Sequence, residues 1–224
     1  MRQWKSSVGT TRAEDDMAAL LIIGAGGHGK VVADAALETG RWDEILFLDD
    51  AWPEKSHNGR WKVQGKIDRL DSWLAQTKQA VIAMGNNRLR VELQSKLAEA
   101  GFDIQTIIHS SAQVSRFARI GAGSVVFANA VVNVDAEIGE AAIINTAATV
   151  DHDCLLGRGV HVAPGAHLGG GVRVDDFSWV GIGAAVRHYI TIGADVTIGA
   201  GAAVVEDIPD GVIAVGVPAR PANN

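Results

Sequence analysis

Ile138-Gly139-Glu140-Ala141-Ala142-Ile143-Ile144-Asn145-Thr146-Ala147-Ala148-Thr149-Val150 carries the pattern that decides the fold. Ile138, Ile144 and Val150 stand six apart, and Ala142 and Ala148 follow the first two by four residues. In both directions the spacing holds from Ile108 to Val204: seventeen positions, each Ile, Val or Leu. Most residues four further on are small, and Gly often follows the branched residue, as at Gly121, Gly139, Gly157 and Gly181. A period of six fits neither a helix nor a simple strand. It fits a triangular β-helix, in which each hexad is a short strand plus a turn and three hexads close one coil. The branched residue is expected to fill the interior, the small one to fit where the wall bends, and Gly to supply turn dihedrals with positive φ. Strand pairing stacks coils ~4.8 Å apart. A sandwich of short strands does not hold one spacing over such a length.

Ahead of the repeat, strands alternate with helices. Residues 18–23 read as a buried parallel strand, followed by an apolar helical pattern through Thr39. Strands are expected at 45–48 and 80–84, a loop at 52–66, helices at 67–76 and 89–100, and a last strand at 103–108. That alternation implies a small parallel sheet with helices packed on it. Gly24, Gly26 and Gly29 form G-x-G-x-x-G between strand and helix, and Asp49 lies twenty positions beyond Gly29. This is the signature of a phosphate-binding turn with an acidic ribose partner. The α/β part is roughly half of a full dinucleotide fold, so a mononucleotide-linked ligand such as a nucleotide sugar fits better than NAD.

Composition narrows the function classes. Net charge is −6, no basic run occurs and aromatics are 5%, which argues against nucleic-acid binding. No apolar run reaches the ~18 residues of a membrane span, and residues 1–16 lack the apolar core of a secretory signal. The single cysteine, Cys154, excludes an internal disulfide framework and points to the cytoplasm. Residues 1–17 are expected to be a disordered tail, or to reflect a start upstream of Met17.

Within the repeat, His152 and Asp153 occupy a turn between the inward Val150 and Cys154. A histidine beside a carboxylate is the minimal general base, the carboxylate orienting the ring and stabilising its protonated form. Asn145 lies seven residues back on the same coil. Cys154 takes a small inward slot and reads as structural. A metal site would need ligands on adjacent coils, but the residue eighteen beyond His152 is Gly170, so no metal is expected.

Five pieces in order over residues 18–220 now carry a resemblance: Ile22 to Gly29, Phe47 to Asp50, Gly85 to Asn87, Asn145-Thr146 with His152-Asp153-Cys154, and Val215 to Arg220. They resemble the nucleotide-amino-sugar N-acetyltransferases of the hexapeptide-repeat family, which include bacillosamine and perosamine enzymes; the wider group contains sialic acid O-acetyltransferases. The resemblance implies a Rossmann-like nucleotide-sugar-binding domain at 18–107 and a left-handed parallel β-helix at 108–208. A C-terminal segment at 209–224 would pack on the β-helix and the CoA site. The left hand comes from the resemblance, since it departs from the usual crossover rule.

By position, the resemblance makes His152 the base, with Asp153 and Asn145 supporting it. His161 and the Gly170 N–H would meet the acetyl thioester, and Ile182 and Ala200 would line the channel for acetyl-CoA. Gly26, Gly27, His28, Asp49, Asp50 and Gly85 would hold the nucleotide. It also implies a homotrimer with active sites between subunits. The activity expected is acetyl transfer to the 4-amine of a UDP-linked 4-amino-4,6-dideoxy sugar. The rivals are GDP-perosamine N-acetylation, sialic acid O-acetylation, a non-catalytic nucleotide-binding trimeric scaffold and an NAD-dependent oxidoreductase.

Overall fold

The computed structural model describes residues 18–222. The expectation for residues 1–17 therefore lies outside the described residues.

The α/β part contains β1 (Ala19–Ile23), α1 (Gly27–Glu38), β2 (Glu44–Leu48), β3 (His57–Asn58), β4 (Trp61–Gly65), β5 (Gln79–Ile82), α2 (Asn87–Glu99) and β6 (Asp103–Ile104). They form one sheet in the order β3-β4-β2-β1-β5-β6. All pairs are parallel except β3 with β4. Strand β1 is buried on both sides. Leu20 and Ile22 join the cluster under α1, and Leu21 and Ile23 join the one that contains Leu97 of α2. Such two-sided burial explains why β1 reads as a continuous apolar run.

The repeat then winds three faces. The first face runs from Ile107–Ile108 up to Ile213–Val215, the second from Gln113–Val114 to Ala203–Val204, and the third from Arg119–Ile120 to Thr191–Ile192. Successive coils pair in parallel at an offset of eighteen, as in Val126 with Ile144 and Val132 with Val150. The branched row from Val126 to Val204 and its small partners form one interior cluster. The chain end adds Ile213–Val215 to the first face, and Arg220–Pro221 turns back antiparallel. This is a Rossmann-like unit followed by a left-handed parallel β-helix.

Several local expectations are corrected. The stretch 52–66 is not all loop: His57–Asn58 and Trp61–Gly65 pair as a hairpin, with only Val63 among its branched residues to face the core. Residues Ile67–Ser72 form a short 3₁₀ helix, and no α-helix runs to 76. The strand at 103–108 is two strands in different sheets, with Gln105 and Thr106 turning the chain between them. Ile108 is 37% exposed, because no coil lies below it.

The glycines that follow the branched residues do not serve the turns. Gly121, Gly139, Gly157 and Gly181 are not the positive-φ residues. They are glycine because a Cβ would strike the backbone or capping carboxylate of the next coil: at Gly139 it would stand 2.6 Å from the carbonyl carbon of Gly157. The left-handed conformation falls two residues later in each hexad from Gly123 to Gly201. It is taken by Gly123, Gly159, Gly165, Gly171, Gly183 and Gly201, and otherwise by Asn129, Asp135, Ala141, Ala147, Asp153, Phe177, Tyr189 and Asp195. Asn and Asp tolerate that region better than most residues.

Candidate active site

His152 and Asp153 sit on the corner between the second and third faces. Val150 and Cys154 are fully buried on either side, so Asp151, His152 and Asp153 between them turn outward. Asp153 has φ 59, and its Oδ2 lies 2.7 Å from His152 Nδ1. The contact makes Nδ1 the proton-bearing nitrogen and leaves the Nε2 lone pair outward. The hydrogen bond to Asp153 is the main cause that raises the imidazole above its ordinary pKa; burial opposes it, and the charges of Asp151 and Asp153 reinforce it.

One coil further on, Gly170 lies under the ring. A Cβ at Gly170 would stand 2.5 Å from both Cε1 and Nε2 of His152. The corner backbone explains why its N–H is available. At the equivalent place in four other hexads the N–H is capped by a side chain: Thr146 by Asn145, His152 by Asp151, Arg158 by Asp176 and Ala194 by Asp210. The Gly170 N–H has no acceptor among the described residues. The corner thus presents a base nitrogen and a backbone donor side by side.

Cys154 points inward, its Sγ 3.2 Å from the Gly169 carbonyl. Burial is the main cause that pushes the thiol up to about 11. It carries no thiolate at neutral pH and is not a nucleophile.

The other expected residues lie elsewhere on the prism. His161 is on the first face, its Nε2 3.0 Å from Asn145 Nδ2 and its ring 6.2 Å from that of Trp179. Burial, then Arg90 and His28, lower it to about 3, so it stays neutral. Asn145 therefore pairs with His161 and not with His152. Ile182 and Ala200 are exposed, one coil apart, on the corner between the first and second faces, and so is Asn145. Within one chain the His152 corner and the Asn145 corner stand at opposite ends of the second face and do not converge.

In the α/β unit, Gly26, Gly27 and Gly85 border open space, whereas Gly24 and Gly29 are packing glycines. A Cβ at Gly29 would overlap the Gly24 carbonyl, and one at Gly24 would lie 2.8 Å from that of Ala83. Asp49 braces the turn, accepting from Ala25 N–H at 2.7 Å and Ala51 N–H at 3.0 Å. Asp50 accepts from Ile67 N–H at 3.2 Å. His28 turns onto Phe127 of the β-helix, with ring centroids 5.4 Å apart. Burial, then Arg90, lower its pKa to about 4.

A cleft of about 370 Å³ opens between Gly85–Arg88 and the upper first face, lined also by Phe177, Trp179 and Thr197. Sequence reasoning missed Arg88, Phe177 and Trp179. The available signal was two aromatics on outward hexad positions.

Comparison with known proteins bears on the family and the fold. Residues 19–97 match the family model described as the PglD N-terminal domain. The acetyltransferase domain of PglB from Neisseria gonorrhoeae FA1090, solved with acetyl coenzyme A, is 45% identical with a TM-score of 0.88, covering 92% of this chain and 100% of that one. A mutant of perosamine N-acetyltransferase from Caulobacter crescentus, solved with CoA and GDP-perosamine, is 40% identical with a TM-score of 0.88, covering 93% of this chain and 99% of that one. UDP-N-acetylbacillosamine N-acetyltransferase of Bacillus subtilis (strain 168) is 40% identical over 114 residues, 48% of this chain and 50% of that protein. The match thus spans half the length of that curated relative. Near-complete coverage of two solved structures at these identities is decisive: the chain belongs to the nucleotide-amino-sugar N-acetyltransferases.

Proposed function

We propose that the protein transfers the acetyl group of acetyl-CoA to the 4-amine of a UDP-linked 4-amino-4,6-dideoxy sugar. The observation that carries the chemistry is the His152–Asp153 pair set over Gly170. In this reading the amine attacks the thioester carbonyl directly. The Gly170 N–H stabilises the oxyanion, His152 Nε2 takes the amine proton, and the tetrahedral intermediate collapses with release of CoA thiolate. No acyl-enzyme is needed, because nucleophile and thioester are held together.

The nucleotide lies against Gly26, Gly27 and Gly85, where backbone amides and the start of α1 approach its phosphates, with His28, Asp49 and Asp50 shaping that end. Because the two sets of residues occupy opposite corners, the complete site takes His152, Asp153 and Gly170 from one subunit. A neighbour supplies Asn145, His161, Ile182 and Ala200. A closed homotrimer satisfies this with three equal sites. Acetyl-CoA and nucleotide sugars are metabolites of the cytoplasm, which is where the reading places the protein. Among the described residues no helix is long and apolar enough to cross a membrane.

A second acceptor, GDP-perosamine, is favoured by the 40% identity to the structure solved with that ligand. Free-thiol release from acetyl-CoA with a panel of UDP-, GDP- and dTDP-linked amino sugars separates the two. The UDP sugar should give the highest kcat/KM, and His152→Ala should abolish most of the turnover while acceptor binding persists. Absence of thiol release with every amino sugar would leave the scaffold reading.

A further inference from the structure

Helix α2 lies along the corner between the third and first faces, and its side chains meet one coil after another. Gln94 Nε2 donates to the Ala122 carbonyl at 3.0 Å. Arg90 Nε donates to the Ala141 carbonyl at 2.7 Å and its Nη2 to the Gly159 carbonyl at 2.8 Å. Asn87 Nδ2 donates to the Phe177 carbonyl at 2.8 Å, and Arg88 Nε to Asp195 Oδ1 at 2.8 Å. Gly123, Ala141, Gly159, Phe177 and Asp195 are the positive-φ residues of five successive coils on this corner.

The match is metric. Side chains three or four residues apart on a helix rise ~4.5–6 Å, and coils rise ~4.8 Å, so the two ladders keep step. A Cβ at Gly159 would stand 2.9 Å from Val91 Cγ2, and one at Gly123 would overlap Gln94. Glycine at these two corners lets the helix lie close.

Arg90 is the centre of this contact. It is 1% exposed and makes two further bonds, Nη1 to the Met84 carbonyl at 2.9 Å and Nη2 to Asn87 Oδ1 at 3.0 Å. Among the described residues no carboxylate pairs with it. A guanidinium buried without a counter-ion is costly; it is tolerated here because four acceptors meet its fork. Met84 precedes Gly85, Asn86 and the first two residues of α2, which border the cleft.

We propose that Arg90 is a positioning residue for the transfer: it locks the Met84–Asn86 loop and the start of α2 to the coils of Ala141 and Gly159. It thereby fixes the height along the prism at which the acceptor is delivered. The consequence for the acceptor rests on the function proposed above; the lock itself does not.

The test uses the full chain with Arg90→Met and Arg90→Lys. Amide hydrogen exchange over residues 85–88 reads the lock, and separate KM values for the nucleotide amino sugar and for acetyl-CoA read its effect. In Arg90→Met, exchange at 85–88 and the acceptor KM should each rise about tenfold or more, while the acetyl-CoA KM stays within about twofold. Arg90→Lys keeps the charge without the fork and should recover only part of the loss. Unchanged exchange, or an equal rise of both KM values, overturns the proposal. Should Arg90→Met fail to fold, Asn87→Ala carries the same test, since it removes the bonds to Phe177 and to Arg90. A wild-type chain that transfers no acetyl group would sink the acceptor reading, and the exchange data would still decide the lock.

Discussion

Replacing Gly170 by Ala separates catalysis from stability. Gly170 is not among the residues with positive φ, so Ala meets no backbone strain there. Its Cβ would stand 2.5 Å from His152 Cε1 and Nε2, while carbon contacts settle at ~3.5 Å or more. The ring must therefore retreat by about 1 Å. It can, because the His152 side chain is 47% exposed. The retreat strains the 2.7 Å bond to Asp153 and moves the base away from the amine. A displacement of about 1 Å is worth roughly 10²-fold in rate, or about 2.7 kcal/mol of transition-state energy. Stability should hold or rise by about 0.4–1 kcal/mol, because Ala restricts the unfolded chain. The assay is kcat from thiol release beside a thermal melt of the same preparation. A folded Gly170→Ala variant with kcat within about twofold of wild type would refute the reasoning.

Asp153→Asn should shift the acid limb of kcat/KM to lower pH. The raised His152 pKa means the neutral base is lost below a point above the ordinary imidazole value, and Asn withdraws the main cause; an unmoved limb would assign that limb to another group. His28 and His161, held near 4 and 3, are neutral in the folded chain, while the unfolded chain titrates at its ordinary 6.5. Their contribution is complete above pH 6.5 and is lost as pH falls toward those values, by up to about 1.4 kcal/mol per pH unit for each ring. His161→Asn should flatten the fall in urea midpoint between neutral and acid pH, and an unchanged fall would speak against this account. Gly181→Ala puts a Cβ 2.7 Å from the Gly199 carbonyl carbon. It should cost about 1–3 kcal/mol as overpacking, read as a lower melting temperature at unchanged KM. Co-expressing His152→Ala with Asn145→Ala should restore about a quarter of the sites if each is built from two subunits; activity no higher than either parent would place the whole site in one chain.

The repeat was legible because its period is set by packing alone. One branched residue per hexad fills the prism, and nothing else in the chain competes for that position. The outward polar turn was legible too, since Asp151, His152 and Asp153 lie between the buried Val150 and Cys154. What escaped depends on contacts between distant segments. Asn145 looks like a partner for His152 by spacing, but meets His161 because the first face brings 145 beside 161 on adjacent coils. The hairpin at 57–65 has only Val63 as a buried branched residue and so leaves almost no pattern. The true left-handed positions were hidden because Ala, Asn, Asp, Phe and Tyr occupy them as often as Gly. Arg90 reads as one basic residue among several on α2, and only the docked β-helix shows what its fork holds.

The corner of the coil shows how one backbone could serve both helix docking and the proposed chemistry. At each left-handed turn the residue before it offers an N–H and the turn residue itself offers a carbonyl, and side chains decide how each is used. Asn145, Asp151, Asp176 and Asp210 spend the N–H on a cap. Along the third-to-first corner, Arg90 and Asn87 take three successive carbonyls and dock a helix. At Gly170 neither happens, and the imidazole of His152 settles above it. In the proposed reaction the oxyanion donor needs no dedicated loop: it is a corner N–H that no side chain caps. Because coils are spaced by strand pairing, the distance from that donor to the base is set by the fold and not by a mobile segment. In the proposed transfer, orientation would be a property of the prism, and the α/β unit would have only to be held at the right coil.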